Sequence, residues 1–86
     1  MSDNSNEKSI KLWTPAIYRI EVEGFLSESW SECLAGMHIN TRKRFDSTTV
    51  TTLVGRLRDQ AELTGVLNSL HDLHRPIVKV EVVNAD

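Results

Sequence analysis

The most constraining feature of this sequence is a change of hydrophobic period. Apolar residues recur at every second position over residues 18–22, at three- and four-residue spacing over 63–73, and at every second position again over 78–82. The outer two segments read as half-buried strands and the middle one as an amphipathic helix. Each such element carries one apolar face, so the stable arrangement lays helix on sheet around a single core. With 86 residues the chain makes one domain. A domain of this size buries roughly 60–65% of its unfolded surface, so it has little stability in reserve and gains from self-association.

The intervening sequence supplies the other elements. Over residues 16–24, Tyr18, Ile20 and Val22 point one way and Arg19, Glu21 and Glu23 the other, which is a strand ending at Gly24. Residues 27–35 read as a short helix. Ser29 and Glu32 have capping-box spacing, with Ser27 as the alternative cap, and Gly36 suits the helix end. Trp30, Cys33, Leu34 and Met37 then form one apolar stripe at α-helical spacing. Residues 37–45 read as a more polar strand, with Met37, Ile39 and Thr41 of one parity and His38, Asn40 and Arg42 of the other. Asp46, Ser47 and Thr48 form a turn. A third strand, rich in Thr and Val, spans 49–57. Thr51, Leu53, Gly55 and Leu57 share one face of it, and Val50, Thr52, Val54 and Arg56 the other.

Residues 59–74 form the strongest element. Asp59 is the N-cap, Glu62 completes a pattern resembling a capping box, and Leu63, Val66, Leu67, Leu70 and Leu73 or His74 carry the stripe. Gly65 costs a helix interior about 1 kcal/mol relative to Ala, so it is expected where the helix packs closely on the sheet. Pro76 ends the helix and residues 77–83 form the last strand, with Val78, Val80 and Val82 alternating with Lys79 and Glu81. Leu63, Leu67 and Val80 are expected in the core.

The order strand, helix, strand, strand, helix, strand predicts an α+β, ferredoxin-like βαββαβ sandwich. Its four-stranded antiparallel sheet has order 4-1-3-2, with two helices on one face. The domain spans residues 15–86, after a polar tail over 1–14 that is expected to be disordered. Trp13, just before Thr14 and Pro15, is either a lone exposed ring or an anchor for that tail.

Composition narrows the compartment. The lone Cys33 excludes an intramolecular disulfide and a multi-cysteine zinc site, and fits a reduced setting. Residues 1–10 lack the apolar stretch of a secretory signal, and no apolar run reaches the ~20 residues needed to cross a bilayer. A cytoplasmic protein with no membrane association is expected. Ten basic against twelve acidic residues, a net charge of −2, argue against a dedicated nucleic-acid binder.

Candidate sites are sparse. The sheet face away from the helices would carry Arg19, Glu21, Glu23, Thr52, Val54, Arg56, Lys79 and Glu81, a candidate interaction face laced by cross-strand ion pairs. An RNA-reading sheet needs stacking aromatics at those positions and has none here. Arg42, Lys43 and Arg44 read as an edge strand guarded by cations. A metal-chaperone loop would need two cysteines after the first strand, and an acylphosphatase-like phosphate loop an arginine. Residues 24–27 are Gly24, Phe25, Leu26 and Ser27 and supply neither. His71 and His74 are three apart near a helix end, but only His38 is left to join them. Cys33, on the apolar stripe, is expected to be buried and inert. No catalytic constellation is visible, and neither a cofactor nor a metal is implied.

The segment 51–67, with Thr51, Leu53, Gly55, Asp59, Gln60, Leu63, Gly65 and Leu67, resembles a family of short uncharacterised bacterial proteins. Their pattern is roughly T-x-L-x-G-x-x-x-D-Q-x-x-L-x-G-x-L, followed by a helix end and a V-x-V strand. The opening strand, 18–24, and Trp30 are similar too, so the resemblance covers about residues 17–83. It implies a bacterial source and the same α+β fold, and brings no activity. Physically, Gly55 permits close backbone approach, Asp59 caps the helix, and Gly65 would let the helix sit low.

The resulting expectation is a non-enzymatic protein-interaction module that forms a homodimer, with a further protein partner open. The alternative is a small-ligand sensor domain that binds its ligand at a dimer interface.

Overall fold

The computed structural model describes residues 15–85; Trp13 and the tail lie outside them. The elements run β1 (Ala16–Glu23), a 3-10 helix (Glu28–Leu34), β2 (His38–Lys43), β3 (Thr49–Leu57), α1 (Gln60–Asp72) and β4 (Ile77–Ala85). The fold is α+β, with an open four-stranded sheet ordered β2-β3-β1-β4 and every neighbouring pair antiparallel. Counted from the β4 edge, the same neighbours read 4-1-3-2.

Register fixes the two faces. Ile20 lies opposite Leu53 and Val80, Tyr18 opposite Gly55 and Val82, and Ile39 opposite Leu53. The inner face therefore joins Ala16, Tyr18, Ile20, Val22, Ile39, Leu53 and Leu57 in one core with Leu34 of the 3-10 helix and Leu63, Val66 and Leu70 of α1. Leu67 and Leu73 are only partly buried beside it. Among the described residues Thr51 is the one buried polar side chain, and it is satisfied. Its hydroxyl lies 2.6 Å from the Gly24 carbonyl, to which it donates, and 2.9 Å from the Thr41 hydroxyl.

The first helix departs from its expected geometry. It is a 3-10 helix capped by Ser27, whose hydroxyl accepts from the Ser29 N–H. At three residues per turn, positions i and i+3 eclipse. Trp30 and Cys33 then share one ridge while Leu34 falls on another, about a third of a turn away, so the α-helical stripe is split. Leu34 is buried; Trp30 and Cys33 are exposed. The expectation of a buried Cys33 is thereby corrected. Ala35 and Gly36 close the helix in left-handed geometry at φ 59° and 72°, and the Ser31 hydroxyl donates to the Met37 carbonyl at 2.7 Å.

At α1 the Asp59 carboxylate accepts from the Glu62 N–H at 2.9 Å, a side-chain N-cap. The second half of the box differs. Glu62 accepts from the N–H of Arg58, one residue before the cap, at 2.8 Å. The helix stops at Asp72, and His74 takes the left-handed turn at φ 58°. Gly55 is a close-approach position, since an added Cβ would stand 3.1 Å from the Met37 Cα. Gly65 is not, since an added Cβ would meet nothing within 4 Å. That glycine faces out, and the expected close packing of helix on sheet does not occur there.

The largest departure concerns β4. Helix α1 packs mainly on the 3-10 helix and β3, whereas β4 packs on β1. Val80 and Val82, on the helix side of the sheet by register, stay 41% and 40% exposed. Val80 is thus not a core residue: the helix layer ends before it reaches this strand.

Candidate interaction surface

The register places all eight candidate face residues on the side of the sheet away from α1. Arg19 stands beside Val54 and Glu81, Glu21 beside Thr52 and Lys79, Glu23 beside Val50, and Arg56 beside Ile17. Alternation along β1, with Tyr18, Ile20 and Val22 turned to the core, forces the charged set outward. Arg19 Nη1 donates to Glu81 Oε2 at 2.5 Å, and Lys79 Nζ lies 3.7 Å from Glu81 Oε1. Glu21 reaches over β3 to Arg42, 3.9 Å away on β2. The groups are part-exposed, so each pair is worth about 0–1 kcal/mol, and the charges largely neutralise one another within one chain.

Strand β2 contributes to this face in a way the sequence did not disclose. His38, Asn40 and Arg42 join Arg19, Glu21, Thr52 and Val54 around a shallow depression of about 300 Å³. Their shared parity was the only signal, and the pairing of β2 with β3 turns it into a location. Val50 is 1% exposed although it has the outward parity, and it lies outside the main core cluster.

The two sheet edges differ in kind. Arg42, Lys43 and Arg44, all exposed, guard the β2 edge, and the adjoining turn is held by Asp46. The Asp46 carboxylate accepts from the Thr48 hydroxyl at 2.7 Å and from its N–H at 3.0 Å. Those two bonds, with Arg44 nearby, hold the carboxyl below its ordinary value. Strand β4 carries a single cation, Lys79. Among the described residues it carries five of the exposed large hydrophobics: Ile77, Val78, Val80, Val82 and Val83, each 40–47% exposed. No proline interrupts its nine residues. A long apolar edge of this type is a ready template for another strand.

Other candidates do not assemble. His38 lies on the open face, whereas His71 and His74 belong to the end of α1 on the opposite side. Among the described residues no group of three or more His, Cys, Asp or Glu side chains is placed to hold a metal ion. No helix among them is long and apolar enough to cross a membrane.

No curated protein and no solved structure matches the chain. A family model described as a domain of unknown function (DUF8691) matches residues 17–81, which include most of the sheet and the whole of α1. The chain belongs to that family.

Proposed function

We propose that this protein is a non-enzymatic interaction module of ferredoxin-like topology that self-associates, acting in a bacterial cytoplasm. One observation carries the reading: among the described residues β4 pairs on one side only and presents a half-exposed apolar face with a single cation, Lys79, while the opposite edge strand ends in Arg42, Lys43 and Arg44. The charged face of the sheet supports it less, because its ion pairs are already closed within one chain. A small domain gains most from covering such a strand, since its own core is limited. Sedimentation equilibrium at micromolar concentration tests the reading. A species of twice the 9.7 kDa chain mass is expected, and a single 9.7 kDa species across the whole concentration range overturns it.

A further inference from the structure

We infer that the partner of β4 is β4 of a second copy, paired antiparallel about a two-fold axis through Val80, which joins two sheets into one of eight strands. The inference rests on the self-associating reading above and specifies its edge and register.

Three observations lead to it. First, among the described residues β4 is paired on one side only, with β1, so the backbone groups directed away from β1 form an open edge. Pro76 precedes the strand, and every residue within it retains its N–H. The pairing with β1 shifts between Glu21 and Val22 and between Ile17 and Tyr18, which leaves residues 79–82 as the regular stretch.

Second, symmetry limits the registers. Antiparallel neighbours across a two-fold axis normal to the sheet keep their helix layers on the same side. Directly opposed residues then share a face, so β4 residues of equal parity meet. An axis through Lys79 sets two ammonium groups against each other, and an axis through Glu81 sets two carboxylates. An axis through Val78 or Val82 places a charged group opposite an apolar one. Only the axis through Val80 sets Lys79 opposite the second copy's Glu81, and by symmetry Glu81 opposite its Lys79. Strand β4 is self-complementary in that register alone.

Third, the same register removes apolar surface from water. Val80 meets its own copy, and Val82 lies opposite the second copy's Val78, in the trough between the two α1 layers. These are the residues that the helix layer of one chain leaves 40–45% exposed. On the other face, Arg19 and Lys79 already flank Glu81, and Glu21 is the register neighbour of Lys79. The reciprocal pairs therefore extend an existing charge pattern without bringing like charges together.

Charge reversal tests the register directly. Lys79→Glu alone opposes carboxylates at both symmetric positions, and Glu81→Lys alone opposes ammonium groups. Each variant is expected to lose self-association by at least tenfold in sedimentation equilibrium, with circular dichroism and melting confirming that it folds. A one-to-one mixture of the two restores both pairs, so a heterodimer is expected where neither variant dimerises alone. Singles that dimerise like the parent, or a mixture that stays monomeric, overturn the register while self-association stands. A parent chain that never dimerises overturns both readings. If a reversal variant fails to fold, Val80→Cys in a Cys33→Ser background decides the matter. With oxidised glutathione it is expected to form a disulfide-linked dimer much faster than Val83→Cys does. Equal rates overturn the axis.

Discussion

Gly55 and Gly65 should respond to the same substitution with opposite sign. At Gly55 an added Cβ would stand 3.0 Å from Met37 Cγ, 3.1 Å from Met37 Cα and 3.3 Å from Met37 Cβ. Rotation of the flexible Met37 side chain can move its Cγ away. Its Cα has no such freedom, because Met37 is buried immediately before β2 and its backbone leads into the pairing with β3. Overpacking of this kind costs about 1–3 kcal/mol. Replacing Gly by Ala recovers about 0.4–1 kcal/mol by restricting the unfolded chain. Gly55→Ala should therefore destabilise by about 1–2 kcal/mol. Gly65→Ala meets no atom within 4 Å and lies inside α1, so only the favourable effects remain and it should stabilise by about 0.5–1 kcal/mol. Urea denaturation of the two variants, with unchanged slope, gives both numbers. In a domain of this size each kcal/mol also moves the melting temperature by about 4–8 °C. A stabilised Gly55→Ala, or a Gly65→Ala that loses more than about 0.5 kcal/mol, would refute the close approach of Met37 to Gly55 or the outward placement of Gly65 on α1.

Leu70→Ala should cost about 2–4 kcal/mol, because Leu70 is fully buried, whereas Val80→Ala should cost under about 1 kcal/mol at concentrations where the chain is monomeric; chemical denaturation at two protein concentrations separates the cases. Asp59→Ala should lose about 1 kcal/mol as the Glu62 N–H loses its acceptor, and Asp59→Asn should keep most of that stability in the same assay. The Asp46 carboxyl should titrate below the ordinary carboxylate value by NMR and move back toward it in Thr48→Ala. A folded-state value below the unfolded one means that its contribution to stability is present above the ordinary carboxylate value and is lost as pH falls through the folded value.

The difference between the two sheet edges bears on handling as well as on pairing. Strand β2 resists further pairing because Arg42, Lys43 and Arg44 would have to be brought against another chain's backbone. On β4 the single cation, Lys79, is matched by Glu81 two residues on, so the strand's charges permit a symmetric pair and oppose the registers one step to either side. In the proposed pairing that selectivity would favour a closed dimer over open-ended assembly, since a two-fold pair uses up both β4 edges and leaves the β2 edges outermost.

What the sequence determined alone follows from periods that act within one element. Alternation on β1 and β3 assigned their inner and outer residues, the Asp59 cap set the start of α1, and the turn at Asp46 joined β2 to β3, because each depends on backbone geometry over a few residues. The same parity put Arg19, Glu21, Thr52, Lys79 and the rest of the candidate face on one side of the sheet. Cross-strand register was beyond it, so the partnership of Glu21 with Arg42 and the place of His38 and Asn40 appeared only in the assembled sheet. The fate of Trp30 and Cys33 turned on whether residues 28–34 wind at 3.0 or 3.6 per turn, a choice too fine for a segment this short to reveal. Gly65 and Val80 were misplaced for a related reason. Apolar spacing says that a face will be buried if something covers it, whereas the extent of the helix layer is set by how whole elements pack. In this chain α1 closes against the 3-10 helix and β3, and β4 is left with a valine face and an edge that no other part of the described chain covers.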